Sequence, residues 1–227
     1  MSDFAGFPKE TVRFLADLSS NNSKSWFDAH RDDYEAYWVE PAKQFVDACG
    51  AALPEIAPQV EAQPRVNGSI FRVNRDVRFS KDKSPYKDHL DFWFWEGERR
   101  QAVSGFYMRI TPTHLGIGAG AHGFDRDRLA AFRNAVVDPK AGAGLVAAVQ
   151  SVEKAGWPVK GKKYKQLPRG FEAADENHER FLRYGALWCG EDVPIPPSLH
   201  NRRLVPYMMN RWTKLEPLHR WLVDTLE

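Results

Sequence analysis

Apolar residues recur at helical spacing through the first sixty residues of the chain. The apolar positions within residues 12–18 share one face of a first predicted helix, and the aromatic residues that follow Ser23 share one face of a second. Ser23 is suited to cap that second helix. Pro41 either kinks it or starts a third helix, and the helical region is predicted to end at Pro54.

The pattern changes to an alternation of apolar and polar residues between positions 69 and 119. Such alternation is typical of half-buried strands. Strands are therefore predicted over residues 70–79, 89–95, 103–110 and 115–119. The sequence Thr111-Pro112-Thr113 separates the last two and predicts a hairpin turn. Because the links between these segments are short, antiparallel pairing is favoured.

Helical spacing returns over residues 125–155. An extended basic connection is predicted for residues 156–174, followed by a short helix near 176–183 and one strand near 186–189. One or two helices end the chain, and Thr213-Lys-Leu-Glu216 has the spacing of a capping box.

The order of these elements indicates the fold class. Helices at both ends with antiparallel strands between them are typical of the α+β class. We therefore predict a central antiparallel sheet flanked by N- and C-terminal helices. No segment has the composition of a long linker, so residues 1–227 are expected to form a single domain.

Composition and charge narrow the classes of function. A formal net charge of +2 argues against a generally polybasic nucleic-acid binder. The N-terminus lacks the pattern of a signal peptide, and no apolar stretch approaches the length of a membrane span. We therefore expect a cytoplasmic protein with no membrane partner.

Neither the two cysteines, Cys49 and Cys189, nor the seven histidines have metal-ligand spacing, so we expect buried thiols and no metal site.

Positive charge is concentrated in one segment, residues 72–87. It holds six basic residues against two acids, while the rest of the chain is close to charge-balanced. Neighbouring cations repel, so a folded protein that collects them places carboxylates or an anionic ligand among them. The segment is therefore the first candidate for a binding site.

An alternating strand over residues 70–79 would place two guanidinium groups on one face, with an amide and a carboxylate between them. Such a face could clamp a phosphate or carboxylate, with Asp76 orienting an arginine. The loop that follows adds lysines and a tyrosine. The candidate ligand-binding residues are Arg72, Asp76, Arg78, Lys81, Lys83, Tyr86 and Lys87.

The preferred hypothesis is a basic pocket that binds a small anionic, phosphate-bearing ligand. Catalytic residues and cofactors remain unknown, because no nucleophile–base pair follows from spacing. If the protein is an enzyme, we expect transfer or hydrolysis at a phosphate ester or carboxyl derivative, with lysines stabilising developing charge.

Two alternatives stay open, as does the oligomeric state. A nucleic-acid-binding module would add the second basic segment, residues 160–169, with its interleaved aromatic residues. A structural or interaction protein would instead neutralise its own cations. In that case Asp76 would pair with Arg72 or Arg78, and Asp82 with Lys87.

Two short motifs give only weak support for a function. Gly118-x-Gly120-x-x-Gly123 has the spacing of a dinucleotide-binding loop, but that loop needs a parallel βαβ unit and the surrounding strands are predicted to be antiparallel. A tight turn is the simpler interpretation. Ser80-x-x-Lys83 has the spacing of a serine acyl-enzyme motif without the partner motifs.

Several of these segments together resemble the domain-of-unknown-function 2461 family of conserved hypothetical proteins. The resemblance covers nearly the whole chain, and its longest and most specific part is the basic segment. It rests on Asn21-Asn22 with Trp26-Phe27, the stretch Phe71–Lys87, Gly118-x-Gly120, and Leu167-Pro168-Arg169-Gly170-Phe171 with the helix after it. The resemblance implies a single domain and supplies no established activity.

Overall fold

A computed structural model describes residues 4–226. Helices make up the N-terminal region: α1 (Lys9–Ser20), α2 (Lys24–Ala29), α3 (Arg31–Tyr34), a π-helical turn (Glu35–Val39), α4 (Glu40–Ala52) and a 3₁₀ turn (Leu53–Glu55). Ser23 caps α2 as predicted, because its hydroxyl accepts a hydrogen bond from the Trp26 amide at 3.3 Å.

The chain passes Pro41 without ending the helix. Proline has no N–H to donate to the carbonyl four residues earlier, which belongs to Tyr37. The Thr11 hydroxyl donates to that carbonyl instead, at 2.6 Å. The wide π turn directly before α4 therefore accommodates the proline within a continuous helical segment.

Six strands form one antiparallel sheet in the order β1-β2-β3-β4-β6-β5. Their bounds are β1 Val60–Glu61, β2 Leu90–Glu96, β3 Gly105–Ile110, β4 His114–Ala121, β5 Lys160–Lys162 and β6 Tyr184–Pro194. The predicted hairpin joins β3 to β4, with the Thr111 amide donating to the His114 carbonyl at 2.9 Å. With helices at both ends of the chain, the α+β prediction is confirmed.

The predicted strand over residues 70–79 is wrong. The segment forms isolated bridges instead of a continuous strand: Ile70 pairs with Val66 and with Phe92, and Asn74 pairs with Tyr86. The Asp76 carboxylate accepts the amide of Arg78, two residues ahead, at 3.2 Å. A local bond of this kind occupies an amide that a strand ladder would use, and Asp76 and Arg78 thereby interrupt the alternation at the end of the segment.

The C-terminal half follows the predicted order, with an additional strand and an uninterrupted last helix. Helices α5 (Arg126–Val137) and α6 (Pro139–Lys154) are separate, and α7 (Glu176–Phe181) follows them. The predicted basic connection contains β5, which pairs with a longer β6 than expected, Lys160 lying opposite Trp188. The proposed capping box is wrong, because α8 (Leu204–Leu226) runs through it.

A buried apolar stripe explains the continuity of α8. Trp212, Leu215, Leu218 and Leu222 recur at helical spacing and are each fully buried. Burying such a face stabilises a helix by more than a local capping signal within it can destabilise it. The helix therefore includes Pro217 in its interior.

The chain forms two compact units. Unit 1 comprises residues 1–94, 107–117 and 192–210, and unit 2 comprises residues 95–106, 118–191 and 211–227. The core of unit 1 holds Phe7, Phe45 and Phe92, whose ring centroids lie 4.9–5.9 Å apart. The core of unit 2 includes Phe106 and Phe132, both fully buried. The single domain expected from the sequence stays a prediction.

Gly118 and Gly120 of the glycine motif lie inside strand β4 and Gly123 lies just after its end, instead of forming the tight turn expected from the sequence. A Cβ at Gly118 would lie 2.6 Å from the Cys189 carbonyl oxygen, and Gly120 has a φ of +118°. Both positions require glycine because β4 and β6 approach closely there. Cys49 and Cys189 are buried free thiols, as predicted.

Candidate functional site around Asp91

Unit 1 buries one carboxylate on strand β2, that of Asp91. Leu90 and Phe92 point into the apolar core, so the alternation of the strand turns Asp91 to the opposite face. Its side chain is 6% exposed. A buried carboxylate requires hydrogen-bonding partners, and strand β3 supplies two of them.

Those partners are Tyr107 and Arg109. The Tyr107 hydroxyl donates to Asp91 Oδ1 at 2.8 Å, and the Arg109 Nε donates to the same oxygen at 2.6 Å. A second Arg109 nitrogen reaches Asp91 Oδ2 at 3.3 Å. The guanidinium is thus held in a fixed plane by a two-point contact, while its side chain remains 40% exposed.

The electrostatic environment keeps Asp91 ionised. Burial alone would raise its pKa, but hydrogen bonds and charge from His89 and Arg109 outweigh burial and lower the pKa to about 2. Burial, with the neighbouring Asp91 charge, raises the pKa of Tyr107, so the phenol stays protonated and acts as a donor.

Lys87 brings a second cation to this carboxylate. Its Nζ lies 3.8 Å from Asp91 Oδ2, beyond hydrogen-bonding distance, and 5.1 Å from the centroid of the Phe71 ring. Burial lowers the pKa of Lys87, Asp91 raises it, and the charges of Arg109, Arg72 and Arg75 lower it further. Several cations therefore converge on a single buried carboxylate.

A second row of charges surrounds this centre. The His89 ring bridges two carboxylates, with Nδ1 3.0 Å from Asp88 Oδ1 and Nε2 3.3 Å from Asp91 Oδ2. Arg75 pairs with Asp82 and lies 3.9 Å from Asp88. The charge of Arg75 is therefore balanced within the segment, whereas Lys87 and Arg109 share Asp91.

The predicted site residues separate into distinct groups. Lys87 belongs to the Asp91 centre, and the exposed Arg72 acts on Lys87 through its charge. Asp76 and Arg78 pair with each other on the surface through bonds of 2.7 and 3.0 Å. That pair is one of those expected if the protein neutralises its own cations.

The two loop lysines lie apart from the centre. Lys83 Nζ donates to the Val77 carbonyl at 2.8 Å, and Lys81 is exposed. The structure gives Asp82 the partner Arg75 instead of the Lys87 considered from the sequence.

Tyr86 is part of the packing of unit 1. Its ring is 7% exposed and stacks on Phe27, with centroids 4.2 Å apart. The Asn22 amide holds the Tyr86 backbone from both sides, donating to its carbonyl at 2.9 Å and accepting from its N–H at 3.0 Å. These contacts bring Asn22 and Phe27 against the basic segment in the folded protein, and they fix the backbone next to Lys87.

Sequence reasoning missed His89, Asp91, Tyr107 and Arg109. A usable signal was present, because Asp91 and Arg109 are charged residues within otherwise apolar and aromatic strands. A charge in such a strand needs a partner on the next one. The pairing of β2 with β3 supplies it.

Unit 2 contains a second buried polar cluster. Ser104 Oγ lies 2.8 Å from His219 Nδ1, and His219 Nε2 lies 3.1 Å from Glu96 Oε2. This order of groups is that of a serine nucleophile with its base. All three residues are at most 1% exposed, and a nucleophile must meet its substrate, so the cluster acts as a buried structural network.

Two further observations concern metals and membranes. Within residues 4–226, no group of three or more histidine, cysteine, aspartate or glutamate side chains is arranged to hold a metal ion. None of the helices in the same range combines the length and the apolar character that crossing a membrane requires.

Comparisons with known proteins identify one relationship. The model of the family described as "Conserved hypothetical protein (DUF2461)" matches residues 10–221. The resemblance seen in the sequence is thereby confirmed. Neither the curated proteins nor the solved structures contain a match to the chain.

Proposed function

Because the chain belongs to the DUF2461 family of conserved hypothetical proteins, whose description names no activity, we propose a function from the site itself. The protein binds a small anionic, phosphate-bearing ligand at Lys87 and Arg109, with Arg72 adding charge. The cytoplasmic location expected from the sequence is part of this proposal.

One observation carries the proposal: Lys87 is held half-buried among three arginines, and its pKa is lowered. Lys87 shares the Asp91 carboxylate with Arg109, and its Nζ lies 3.8 Å from that carboxylate, beyond hydrogen-bonding distance. An anion beside Lys87 would relieve the repulsion, and each charge-assisted hydrogen bond would contribute about 1.5–3 kcal/mol.

Asp91 positions the cations. Asp91 accepts hydrogen bonds along the Nε edge of Arg109. The remaining N–H groups of that partly exposed guanidinium can then donate to a ligand. A planar fork that is already oriented loses less conformational freedom when it binds a phosphate oxygen. Loss of Asp91 would therefore weaken binding even though the residue is itself an anion.

A direct test measures ligand-dependent stability. Inorganic phosphate, sugar phosphates and nucleotides are each expected to raise the melting temperature if they bind the native state. Lys87→Met should abolish the shift, and Lys43→Met serves as the matched control because Lys43 pairs with Glu40 elsewhere in unit 1. The proposal fails if no phosphate-bearing compound shifts the wild-type melting temperature, or if Lys87→Met responds like the control.

If the bound compound is also a substrate, the reaction is transfer or hydrolysis at a phosphate ester or carboxyl derivative. Lys87 and Arg109 would then stabilise the charge that develops on its oxygens. The buried Asp91 oxygens already accept hydrogen bonds from Tyr107 and Arg109, and the Tyr107 phenol stays protonated, so neither is proposed as the nucleophile.

A second candidate function, nucleic-acid binding, is favoured by Phe79. This side chain is 95% exposed, with the Arg78 guanidinium 5.8 Å from its ring centroid, and Lys81 and Lys83 lie in the same loop. Exposed aromatic rings beside cations provide stacking platforms for single-stranded bases.

Oligonucleotide binding distinguishes the two candidates. A nucleic-acid-binding protein loses affinity steeply as salt rises, and Phe79→Ala should weaken it by about tenfold or more. Binding of a small phosphate compound should be unaffected by Phe79→Ala, because the ring lies outside the Asp91 centre. If labelled single strands show no salt-dependent binding, this second candidate is excluded.

A further inference from the structure

The N-terminal helices of unit 1 enclose a cavity of about 160 Å³ that shares no lining residue with the Asp91 centre. Its walls include three aromatic side chains, Phe14, Trp26 and Tyr37. The cavity thus combines aromatic and charged side chains from the same N-terminal segment.

The aromatic walls are held in a defined geometry. The rings of Phe14 and Trp26 lie 5.7 Å apart at 41°, and Phe14 is 5% exposed. The Trp26 ring also stacks on the His30 ring, with centroids 4.0 Å apart. His30 is itself fixed, because its Nδ1 donates to the Trp26 carbonyl at 2.8 Å. The aromatic surface therefore exists before any ligand arrives.

Negative charge dominates the lining. Three carboxylates, those of Glu10, Asp17 and Asp33, line the cavity with one guanidinium, that of Arg13. Within residues 4–226, none of these four side chains belongs to an ion pair of 4.0 Å or less. Elsewhere in the same helices, pairs such as Lys24 with Asp28 do form. The cavity therefore has an excess of uncompensated carboxylate charge.

The placement of Tyr37 gives independent support. This residue belongs to the π turn Glu35–Val39, and its carbonyl is held by the Thr11 hydroxyl at 2.6 Å. Single π turns within helices occur frequently at functional sites. Here the wide turn accommodates Pro41, and Tyr37 within it is one of the residues that line the cavity.

We propose that this cavity binds a small organic cation with a methylated ammonium head group. Aromatic faces attract cations, and quaternary ammonium ions are the best-known ligands of such cages. The carboxylates add attraction and repel phosphate-bearing compounds. Ligand pockets for larger molecules usually exceed about 300 Å³, so the volume suits a head group. The site is separate from the proposed anion site and does not depend on it.

The first experiment compares choline with its uncharged carbon isostere on the wild-type protein, by calorimetry or by NMR chemical-shift titration. Choline should saturate with a dissociation constant of roughly 0.1–1 mM. The isostere should bind at least about tenfold more weakly, because it keeps the shape but lacks the charge. Equal binding of the two, or no saturation by choline at about 50 mM, overturns the proposal.

Variants then locate the binding. Asp33→Asn should weaken choline binding about fivefold, whereas Asp32→Asn, on the same helix but outside the lining, should change it less than about twofold. Trp26→Leu should weaken it by about tenfold. If Trp26→Leu does not fold, as judged by circular dichroism, the comparison of Asp33 with Asp32 still decides. An equal effect of the two aspartates contradicts the assignment of the cavity.

Discussion

Arg109 and Asp91 form the central pair of the candidate site, with Arg109 Nε 2.6 Å from Asp91 Oδ1 across adjacent strands. One partner is buried and the other is partly exposed, at 6% and 40% of their side chains. The pair therefore fixes the orientation of a guanidinium that can still reach a ligand. The first predictions concern this contact.

Replacing Asp91 by asparagine should destabilise unit 1. The variant keeps the shape but removes the charge that compensates Arg109 and the half-buried Lys87. Breaking an ion pair in this way leaves buried charge unpaired. Because Arg109 retains some solvent contact, we expect the free energy of unfolding to fall by about 2 kcal/mol. Chemical denaturation measures the loss. Asp88→Asn, at a more exposed carboxylate, is the control and should lose less.

The same carboxylate predicts a pH dependence. The pKa of Asp91 is about 2 in the folded protein, against an ordinary value of 3.8. Between these values the unfolded chain binds more protons than the folded one. The stabilisation is therefore complete above about pH 4 and is lost as pH falls through about 2.

The difference in unfolding free energy between wild type and Asp91→Asn isolates this contribution from other acidic groups. It should shrink by roughly 2 kcal/mol as pH falls from about 4 to below about 2. A difference that does not change between these pH values would contradict the low pKa of Asp91.

Much of the fold follows from the periodicity of the sequence. Strands β2, β3 and β4 and the helices at both ends lie close to their predicted positions, because each buries an apolar face with the period of its element. The predicted strand at residues 70–79 has the same alternation, yet its local bond from Arg78 to Asp76 diverts the backbone. The hydrophobic periodicity of a sequence does not show where a side chain competes for the backbone hydrogen bonds of a strand.

The candidate site was only partly predictable for a related reason. The concentration of cations drew attention to the segment that contains Lys87, but charge density does not reveal which cations are already paired. Arg78 and Arg75 find carboxylates within the segment itself. The buried centre, Asp91, is formed by pairing with β3, and its partners Tyr107 and Arg109 lie 16 and 18 residues further along the chain.

Lys87→Met should separate stability from function. The lowered pKa of Lys87 means that its surroundings disfavour the charged form. Removing the charge while keeping an apolar stem should leave the unfolding free energy unchanged or raise it by up to about 1 kcal/mol. Phosphate binding should disappear in the same variant. A clear loss of stability with normal binding would show that the ammonium is mainly a structural partner of Asp91.

Arg78→Met tests whether the surface pair with Asp76 is structural. Both side chains are well exposed, at 76% and 44%, and exposed ion pairs contribute little to stability. We expect the melting temperature to stay unchanged and the response to inorganic phosphate to remain. A marked drop in melting temperature would instead favour a structural role for the basic segment.

Asn22 is expected to be essential for holding the segment that carries Lys87. Its amide makes one bond in each direction with the Tyr86 backbone. Asn22→Ala leaves two partly buried backbone groups without this partner, so we expect a loss of about 1–3 kcal/mol. Faster hydrogen exchange at the Tyr86 amide should accompany it.

A control at the neighbouring Asn21 and a second substitution at Asn22 make the test more specific. Asn21→Ala removes only an exposed bond to the Asp17 carbonyl and should cost less than about 0.5 kcal/mol. Asn22→Asp retains the acceptor for the Tyr86 N–H but loses the donor to its carbonyl, so its loss should be intermediate. The clamp would be refuted if the Tyr86 amide stayed fully protected in Asn22→Ala, because the Asn22 side chain is the group that accepts the hydrogen bond of that amide.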